Sequence, residues 1–138
     1  KNPNDINARK ALSIASLLGG ITIAQSSTTL QHSIGYPITY YLKISHGRIN
    51  AIVMPLIIEF YGKSIQSLLE SILISAGFSG ISDFIQWLEK QNIPFKCPEL
   101  KKLNIEEIVQ TTLQARNTAL SPVSVNEENL KSLYKKLY

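Results

Sequence analysis

The sequence predicts an all-α protein with about six helices. Apolar residues recur at helical spacing through most of the chain, whereas no stretch of useful length alternates with the two-residue period of a strand. Glycine and proline, which interrupt helices, separate the apolar segments at Gly35, Gly77, Gly80, Pro94 and Pro98. The chain shows no internal repeat. These observations indicate a single helical domain over residues 1–138.

The composition alone argues against several classes of protein. The 138 residues are 44% hydrophobic and 17% charged, which is typical of a globular domain rather than a disordered segment. The net charge of +4 comes from scattered lysines, so no nucleic-acid partner is expected. The lone Cys97 excludes an internal disulfide and fits a reducing compartment. With no secretory signal in view, we expect a cytoplasmic protein.

The first predicted helix covers about residues 5–33, with Asn4 or Asp5 as its N-cap. Its apolar residues are spread around the helix rather than along one stripe, so we expect a core helix that is buried on most sides. Its apolar part, residues 11–24, falls short of the roughly 20 residues that cross a bilayer, and no membrane partner is expected. The pair Gly19-Gly20 indicates close approach of another backbone or a ligand, or else ordinary tight helix packing.

Shorter helices are expected after a loop at residues 36–45. One starts at His46 and runs to about Tyr61, with a kink or a restart at Pro55. Two more cover residues 64–76 and the segment from Phe84 to about Gln91. The last two are expected to begin at reciprocal caps, formed by the pairs Asn104 with Glu107 and Ser124 with Glu127.

His32 and His46 are the only histidines, fourteen residues apart. One helix would separate them by roughly 20 Å, so two elements must meet if the histidines act together. Because Gly35 and Pro37 are typical of a helix end, we expect His32 near the end of one helix and His46 at the start of the next. Two imidazoles could form half of a site for iron or zinc, whereas the alternative is ordinary packed or solvent-facing histidines.

The residues around this pair resemble a known family. The run His32-Ser-Ile-Gly-Tyr-Pro37, followed by His46-Gly47, Asn50-Ala51 and Pro55, is similar to the signature of the iron-containing alcohol dehydrogenases, which share a fold with glycerol dehydrogenase and dehydroquinate synthase. The resemblance extends along the whole chain, through residues 5–20 before the signature and through the following segments after it: Asn92-Ile-Pro94, Leu100, the helix from Ile105, Ser121-Pro122, Asn129-Leu130 and Leu133-Tyr134.

The resemblance implies a two-domain enzyme, with an N-terminal α/β domain for NAD or NADP and a helical C-terminal domain that holds a metal in the cleft between them. In the family, an Asp-x-x-x-His helix supplies two metal ligands and two later histidines, matched here by His32 and His46, supply the others. The metal, Fe²⁺ or Zn²⁺, would act as a Lewis acid on a small alcohol or aldehyde and stabilise the alkoxide from which hydride leaves to the nicotinamide.

Two positions depart from the family pattern, and a third corresponds to a position that faces the substrate in the family. Tyr36 stands where many members have a second histidine near the nicotinamide and substrate, so it is a candidate catalytic and substrate-binding residue, or it merely lines the pocket. Ile23 stands where the family presents a substrate-facing side chain, which implies a small apolar pocket. Ser121-Pro122-Val123 replaces an Asn-Pro-Arg of many members.

Neither a glycine-rich phosphate loop nor an Asp-x-x-x-His helix occurs in the sequence, and the chain starts at Lys1 rather than at methionine. We therefore expect a C-terminal fragment of the helical domain that is inactive as a dehydrogenase and binds metal weakly. The competing hypothesis is a small helical protein-interaction module without catalytic activity. Apolar faces that lack their usual neighbours would in either case favour self-association.

Overall fold

The computed structural model describes residues 2–138 and contains helices, turns and loops but no strand within them. The all-α prediction is confirmed, with seven α-helices in these residues where about six were expected. None of the described helices is long and apolar enough to cross a membrane. The helices are α1 (Ile6–Ser26), α2 (Leu30–Leu42), α3 (His46–Tyr61), α4 (Gln66–Ser75), α5 (Ile81–Glu89), α6 (Ile105–Gln114) and α7 (Glu127–Lys136).

The core lies among α2, α3, α6 and α7. These helices place one apolar face inward, and a short 3₁₀ segment, Pro98–Lys102, adds Leu100. The Tyr134 hydroxyl, buried with them, lies 2.7 Å from the hydroxyl of Thr112. The largest fully buried side chains are Leu30, Ile34, Ile38, Ile49, Val53, Leu100, Ile108, Val109, Thr112, Leu130, Tyr134 and Leu137. Ile108, Val109 and Thr112 thus form the inward face of α6.

The prediction of one buried helix over residues 5–33 is wrong in two ways. The helix ends at Ser26, because Ser27 adopts a left-handed backbone conformation with φ of 69°. None of the residues of α1 is buried, and Leu17 keeps 64% of its surface exposed. Only the N-cap prediction is confirmed, since the Asp5 carboxylate accepts hydrogen bonds from the backbone N–H groups of Asn7 and Ala8.

The glycines of α1 face open space. No atom lies within 4 Å of the position that a Cβ would take at Gly19 or at Gly20. Neither close approach of another backbone nor tight helix packing is found at this pair among residues 2–138, and the predicted approach of a ligand stays a prediction. The reason is the same as for the exposed apolar side chains, because no described element covers this part of α1.

The expected loop at residues 36–45 is also wrong, because α2 continues through Gly35 and Pro37 to Leu42. Proline removes one helical hydrogen bond, which here would have reached the carbonyl of Ser33. Complete burial of the neighbouring Ile34 and Ile38 offsets that loss. His32 therefore lies in the first turn of α2 rather than near the C-terminal end of a helix, and residues 43–45 connect α2 to α3.

The boundaries of α3, α4 and α5 largely agree with those predicted from the sequence. As predicted, α3 starts at His46, and it runs to Tyr61 as one continuous helix through Pro55, without a restart. The predicted helices over 64–76 and 84–91 correspond to α4 and α5, and between them Gly77 and Gly80 adopt positive φ. These two helices pack against each other and bury only Leu73 and Leu88.

The two predicted helix caps have different outcomes. The Asn104 side chain accepts a hydrogen bond from the backbone N–H of Glu107, as predicted, but the Glu107 carboxylate accepts from the Tyr41 hydroxyl instead of returning to Asn104. The cap predicted at Ser124 with Glu127 is wrong. α7 begins two residues later than a helix capped by Ser124 would, and Asn126 and Asn129 form its reciprocal cap through two 2.9 Å hydrogen bonds.

Candidate metal centre

The site forms where α3 packs against α2 around Gly35. A Cβ at Gly35 would lie only 2.7 Å from Asn50 Oδ1 and 3.2 Å from His46 Cε1, so glycine permits this close approach of the two helices. The Gln31 side chain strengthens the contact by donating a 2.8 Å hydrogen bond to the backbone carbonyl of Asn50. Gly35 therefore acts as a packing residue here and not as the helix end that the sequence indicated.

This packing brings His32 and His46 together from two helices. His32 Nδ1 lies 3.0 Å from His46 Nε2, and the ring centroids are 5.0 Å apart. Two nitrogens bound to one ion at about 2.0–2.1 Å lie roughly 3.0–3.4 Å from each other in octahedral or tetrahedral geometry. The same separation is that of an N–H···N hydrogen bond between the two rings, and it also matches two adjacent ligands of a single divalent metal.

The electrostatics around His32 favour the neutral form of its ring. Partial burial lowers the pKa of His32, and the neighbouring His46 lowers it further. A neutral imidazole is the form that donates a lone pair to a metal. The surroundings of His32 therefore favour its neutral form over the protonated one.

Polar side chains surround the two rings. The Thr39 hydroxyl lies 3.3 Å from His46 Nδ1, the ring nitrogen that faces away from His32. Such contacts orient metal-bound histidines. Asn50 Nδ2 lies 3.5 Å from His32 Nδ1, while Asn50 Oδ1 is buried with no hydrogen-bond partner among residues 2–138. The amide of Asn50 thus belongs to the immediate surroundings of the histidine pair.

Tyr36 lies one helical turn after His32 and stacks on the other histidine. Its ring is 5.1 Å from that of His46 at an interplanar angle of 10°, and 6.3 Å from that of His32. The side chain keeps 45% of its surface exposed, and its hydroxyl accepts a 3.0 Å hydrogen bond from Asn117 Nδ2. A phenol placed here can reach a molecule bound at the histidine pair.

Ile23 does not join these contacts. It lies in the last turns of α1 with 50% of its surface exposed, and its carbonyl accepts the hydrogen bond of the Ser27 N–H that closes the helix. Within residues 2–138, no group of three or more His, Cys, Asp or Glu side chains could hold a metal. Two imidazole nitrogens are therefore the candidate metal ligands among the described residues, with Tyr36 beside them.

Sequence reasoning missed two residues of this site, Thr39 and Asn117. Thr39 lies at i+7 from His32, so it lies on the same side of α2, but the sequence pattern of α2 was interrupted too early to show this. Asn117 lies 81 residues after Tyr36, and no local pattern could have paired them.

Comparisons with known proteins identify the family and a similar fold. The sequence profile of the Fe-containing alcohol dehydrogenase family, C-terminal, matches residues 1–138. The fold is similar to an iron-containing alcohol dehydrogenase from Thermotoga maritima, with a TM-score of 0.75 and 27% sequence identity over 95% of this chain. The match spans 35% of that protein's chain. A search of curated proteins gives no significant match.

Proposed function

The chain belongs to the Fe-containing alcohol dehydrogenase family as its C-terminal part, and from that premise we propose that it is the metal-binding helical part of an NAD(P)-dependent enzyme that interconverts alcohols with aldehydes or ketones. The 3.0 Å separation of His32 Nδ1 and His46 Nε2 carries the proposal. The family membership and the shared fold support it. Because the match covers 35% of the structural relative, we assign the remaining metal ligands and most of the NAD or NADP site to parts outside this chain.

In this proposal, His32 and His46 hold a divalent metal, Fe²⁺ or Zn²⁺. A bound metal of this kind supplies Lewis acidity that polarises an alcohol or carbonyl oxygen. The close contact of α2 and α3 holds the two imidazoles in place, and the Thr39 hydroxyl orients the ring of His46. These contacts reduce the reorganisation that binding would otherwise require.

Tyr36 is the proposed catalytic residue of this chain. Its exposed hydroxyl can donate a hydrogen bond to the substrate oxygen, although a phenol is a weaker acid–base group than imidazole at neutral pH. Ile23 is proposed to line the substrate pocket as an apolar wall. Because Ile23 belongs to the uncovered helix α1, its approach to the substrate depends on whatever packs against α1 in the intact enzyme.

Residues 2–138 alone are proposed to be inactive as a dehydrogenase. Two imidazoles define little of a coordination sphere, so the chain binds metal weakly. Activity that depends on NAD or NADP in a rigorously purified sample of the chain would contradict this part of the proposal.

A metal titration followed by NMR tests the proposal directly. The chain has only two histidines, so their Cε1–H signals are resolved without further labelling. We expect both signals to shift at the same concentration of Zn²⁺, because one ion contacts both rings. His32→Ala and His46→Ala should each abolish the shift of the remaining signal. Tyr40→Phe, two turns along α2 from His32, is the matched control and should leave both shifts unchanged.

Two outcomes would contradict the shared site. Signals that respond at different Zn²⁺ concentrations would indicate independent surface histidines, and signals that do not respond would indicate packed ones. In the longer enzyme, His32→Ala and His46→Ala should abolish metal-dependent alcohol oxidation, since each removes a ligand that the rest of the site cannot replace.

A second candidate function is a helical interaction module, and the exposure of α1 favours it. Leu12, Leu17 and Ile21 are among the apolar residues distributed around this helix, and they keep 71%, 64% and 46% of their surfaces exposed. Exposed apolar surface of this extent is typical of an interaction site. If the chain acts as a self-associating module, sedimentation velocity should show dimers that Leu17→Asp dissociates and that a His32→Ala/His46→Ala double variant preserves.

A further inference from the structure

A cluster of hydrogen bonds around Asn117 joins three parts of the chain that are far apart in sequence. Asn117 Nδ2 donates to the Thr28 hydroxyl over 2.6 Å and to the Tyr36 hydroxyl over 3.0 Å. Asn117 Oδ1 accepts from the Ser27 hydroxyl over 3.2 Å. One amide therefore binds both the linker between α1 and α2 and the phenol that stacks on His46.

The segment that contains Asn117 is fixed by packing and by a hydrogen bond of the next residue. It belongs to the 3₁₀ segment Arg116–Leu120, which packs against α2. The next residue, Thr118, is buried, and its hydroxyl donates a 2.5 Å hydrogen bond to the carbonyl of Thr112 in α6. At the other end of the linker, the Tyr61 hydroxyl donates to Thr29 over 3.1 Å. The Asn117 amide thus belongs to a 3₁₀ segment that is packed against the rest of the domain.

The direction of these hydrogen bonds determines what the phenol of Tyr36 can do. An amide NH₂ only donates, so the Tyr36 oxygen accepts from Asn117 and its own proton must find a different acceptor. Among residues 2–138, the bond from Asn117 is the one hydrogen bond that the Tyr36 hydroxyl forms. Because a phenolic proton stays near the ring plane, an amide on one side leaves the opposite side for the O–H bond.

We propose that Asn117 is a positioning residue that turns the Tyr36 hydroxyl outward as a hydrogen-bond donor to the substrate oxygen. The proposal rests on the proposed function of the histidine pair, because the substrate oxygen is expected there. Asn117 does not touch substrate or metal. It acts through Tyr36, whose ring is kept parallel to that of His46.

The experiment measures the ¹³Cζ chemical shift of Tyr36 in the complete chain labelled at tyrosine, with Tyr36→Phe to assign the signal. A phenol that donates to a protein acceptor shifts toward the phenolate value, here called the donating value, whereas a phenol that accepts from Asn117 and donates only to water does not. In the native chain we expect the second kind of phenol. Asn117→Asp, which has nearly the same shape but no donor, should move the signal toward phenolate because Tyr36 now donates to the carboxylate.

Two further variants control for structural damage. Asn117→Ala should move the signal to the value of a free, solvated tyrosine, while Thr28→Val, which removes the other partner of the same NH₂ group, should leave it unchanged. Far-ultraviolet circular dichroism checks that each variant is folded. A native signal already at the donating value, or one that Asn117→Asp leaves unmoved, would overturn the proposal.

The same samples separate this proposal from the proposed metal site. Asn117→Ala should change the Zn²⁺ concentration that shifts the histidine signals by less than about tenfold, the lower end of the loss seen for groups that contact metal ligands. A larger loss would mean that Asn117 supports the histidines themselves, which would overturn its assignment to Tyr36. Histidine signals that ignore Zn²⁺ would refute the metal site and leave the tyrosine result standing.

Discussion

Helices α1 and α2 follow each other directly, and both are rich in apolar residues, yet they occupy opposite environments. In α1 no residue is buried, whereas α2 buries half of its length against α3 and α6. Ile14 keeps 59% of its surface exposed, and Ile34 keeps none. The contrast shows that apolar content alone does not place a helix in a core, because burial depends on which elements pack against it.

Glycines of α1 and α2 also differ in their surroundings. Gly20 in α1 has no atom within 4 Å of its missing Cβ, whereas Gly35 in α2 has three neighbours, including Asn50 and His46. A glycine in the packed helix therefore defines the candidate metal centre. In the uncovered helix it only lowers the local helix propensity.

The largest expected effect compares two isoleucines. Ile34→Ala should lower the free energy of unfolding by about 2–5 kcal/mol, because it removes a fully buried side chain and leaves a cavity. Ile14→Ala should change it by less than about 0.5 kcal/mol, because the side chain is exposed. Urea denaturation followed by circular dichroism measures both. Equal losses would mean that α1 is packed in solution, against a second copy of the chain or against the body of the domain.

The next effect compares two glycine-to-alanine changes. Gly35→Ala should lower the free energy of unfolding by about 1–3 kcal/mol, because the added methyl group meets Asn50 Oδ1 at 2.7 Å. It should also weaken Zn²⁺ binding by about tenfold or more, because Asn50 and His46 must shift.

Gly20→Ala is the matched control for that change. It should raise the helical circular dichroism signal, with a gain of roughly 1 kcal/mol in local helix stability. The unfolding midpoint should stay the same, because α1 can open independently of the core. A Gly35→Ala protein as stable as the native chain and equally able to bind Zn²⁺ would contradict the close α2–α3 contact.

The smallest effect concerns pH and compares a core tyrosine with a surface one. Burial raises the pKa of Tyr134 far above its ordinary value. Above about pH 10 the unfolded chain releases this proton while the native chain keeps it. The contribution of Tyr134 to stability should therefore be constant below about pH 10 and fall above it by about 1.4 kcal/mol per pH unit.

Urea denaturation between neutral and alkaline pH measures the slope. Tyr134→Phe should flatten it, since phenylalanine does not titrate, whereas Tyr40→Phe should leave it unchanged because that side chain is 67% exposed. A slope that survives Tyr134→Phe would show that other groups cause the alkaline loss.

Local sequence patterns predicted the elements whose boundaries depend on nearby residues. The start of α3 at His46, the break at Gly77 to Gly80 and the Asp5 cap all follow from the conformational preferences of a few neighbouring residues. The same reasoning failed at Gly35 and Pro37. There the packing of α2 on α3 offsets a proline inside the helix, and sequence spacing does not show such packing.

Some residues of the candidate site could be predicted from the sequence, and others could not. The sequence indicated His32, His46 and Tyr36 as the residues to examine, and the structure places these three rings in mutual contact. The roles proposed for Thr39 and Asn117 came only from the structure. Asn117 reaches Tyr36 across 81 residues of chain, and hydrogen bonds of that kind leave no periodic trace in the sequence.

The sequence by itself determined the helical class, the family and the two histidines, because residue spacing and residue type are local properties of the chain. Tertiary structure alone decided that α2 continues through Pro37, that α1 is uncovered, and that the imidazole nitrogens lie 3.0 Å apart. These three features depend on which surfaces pack together. Packing depends on contacts between residues that are distant in sequence, so these features are determined only when the whole chain is folded.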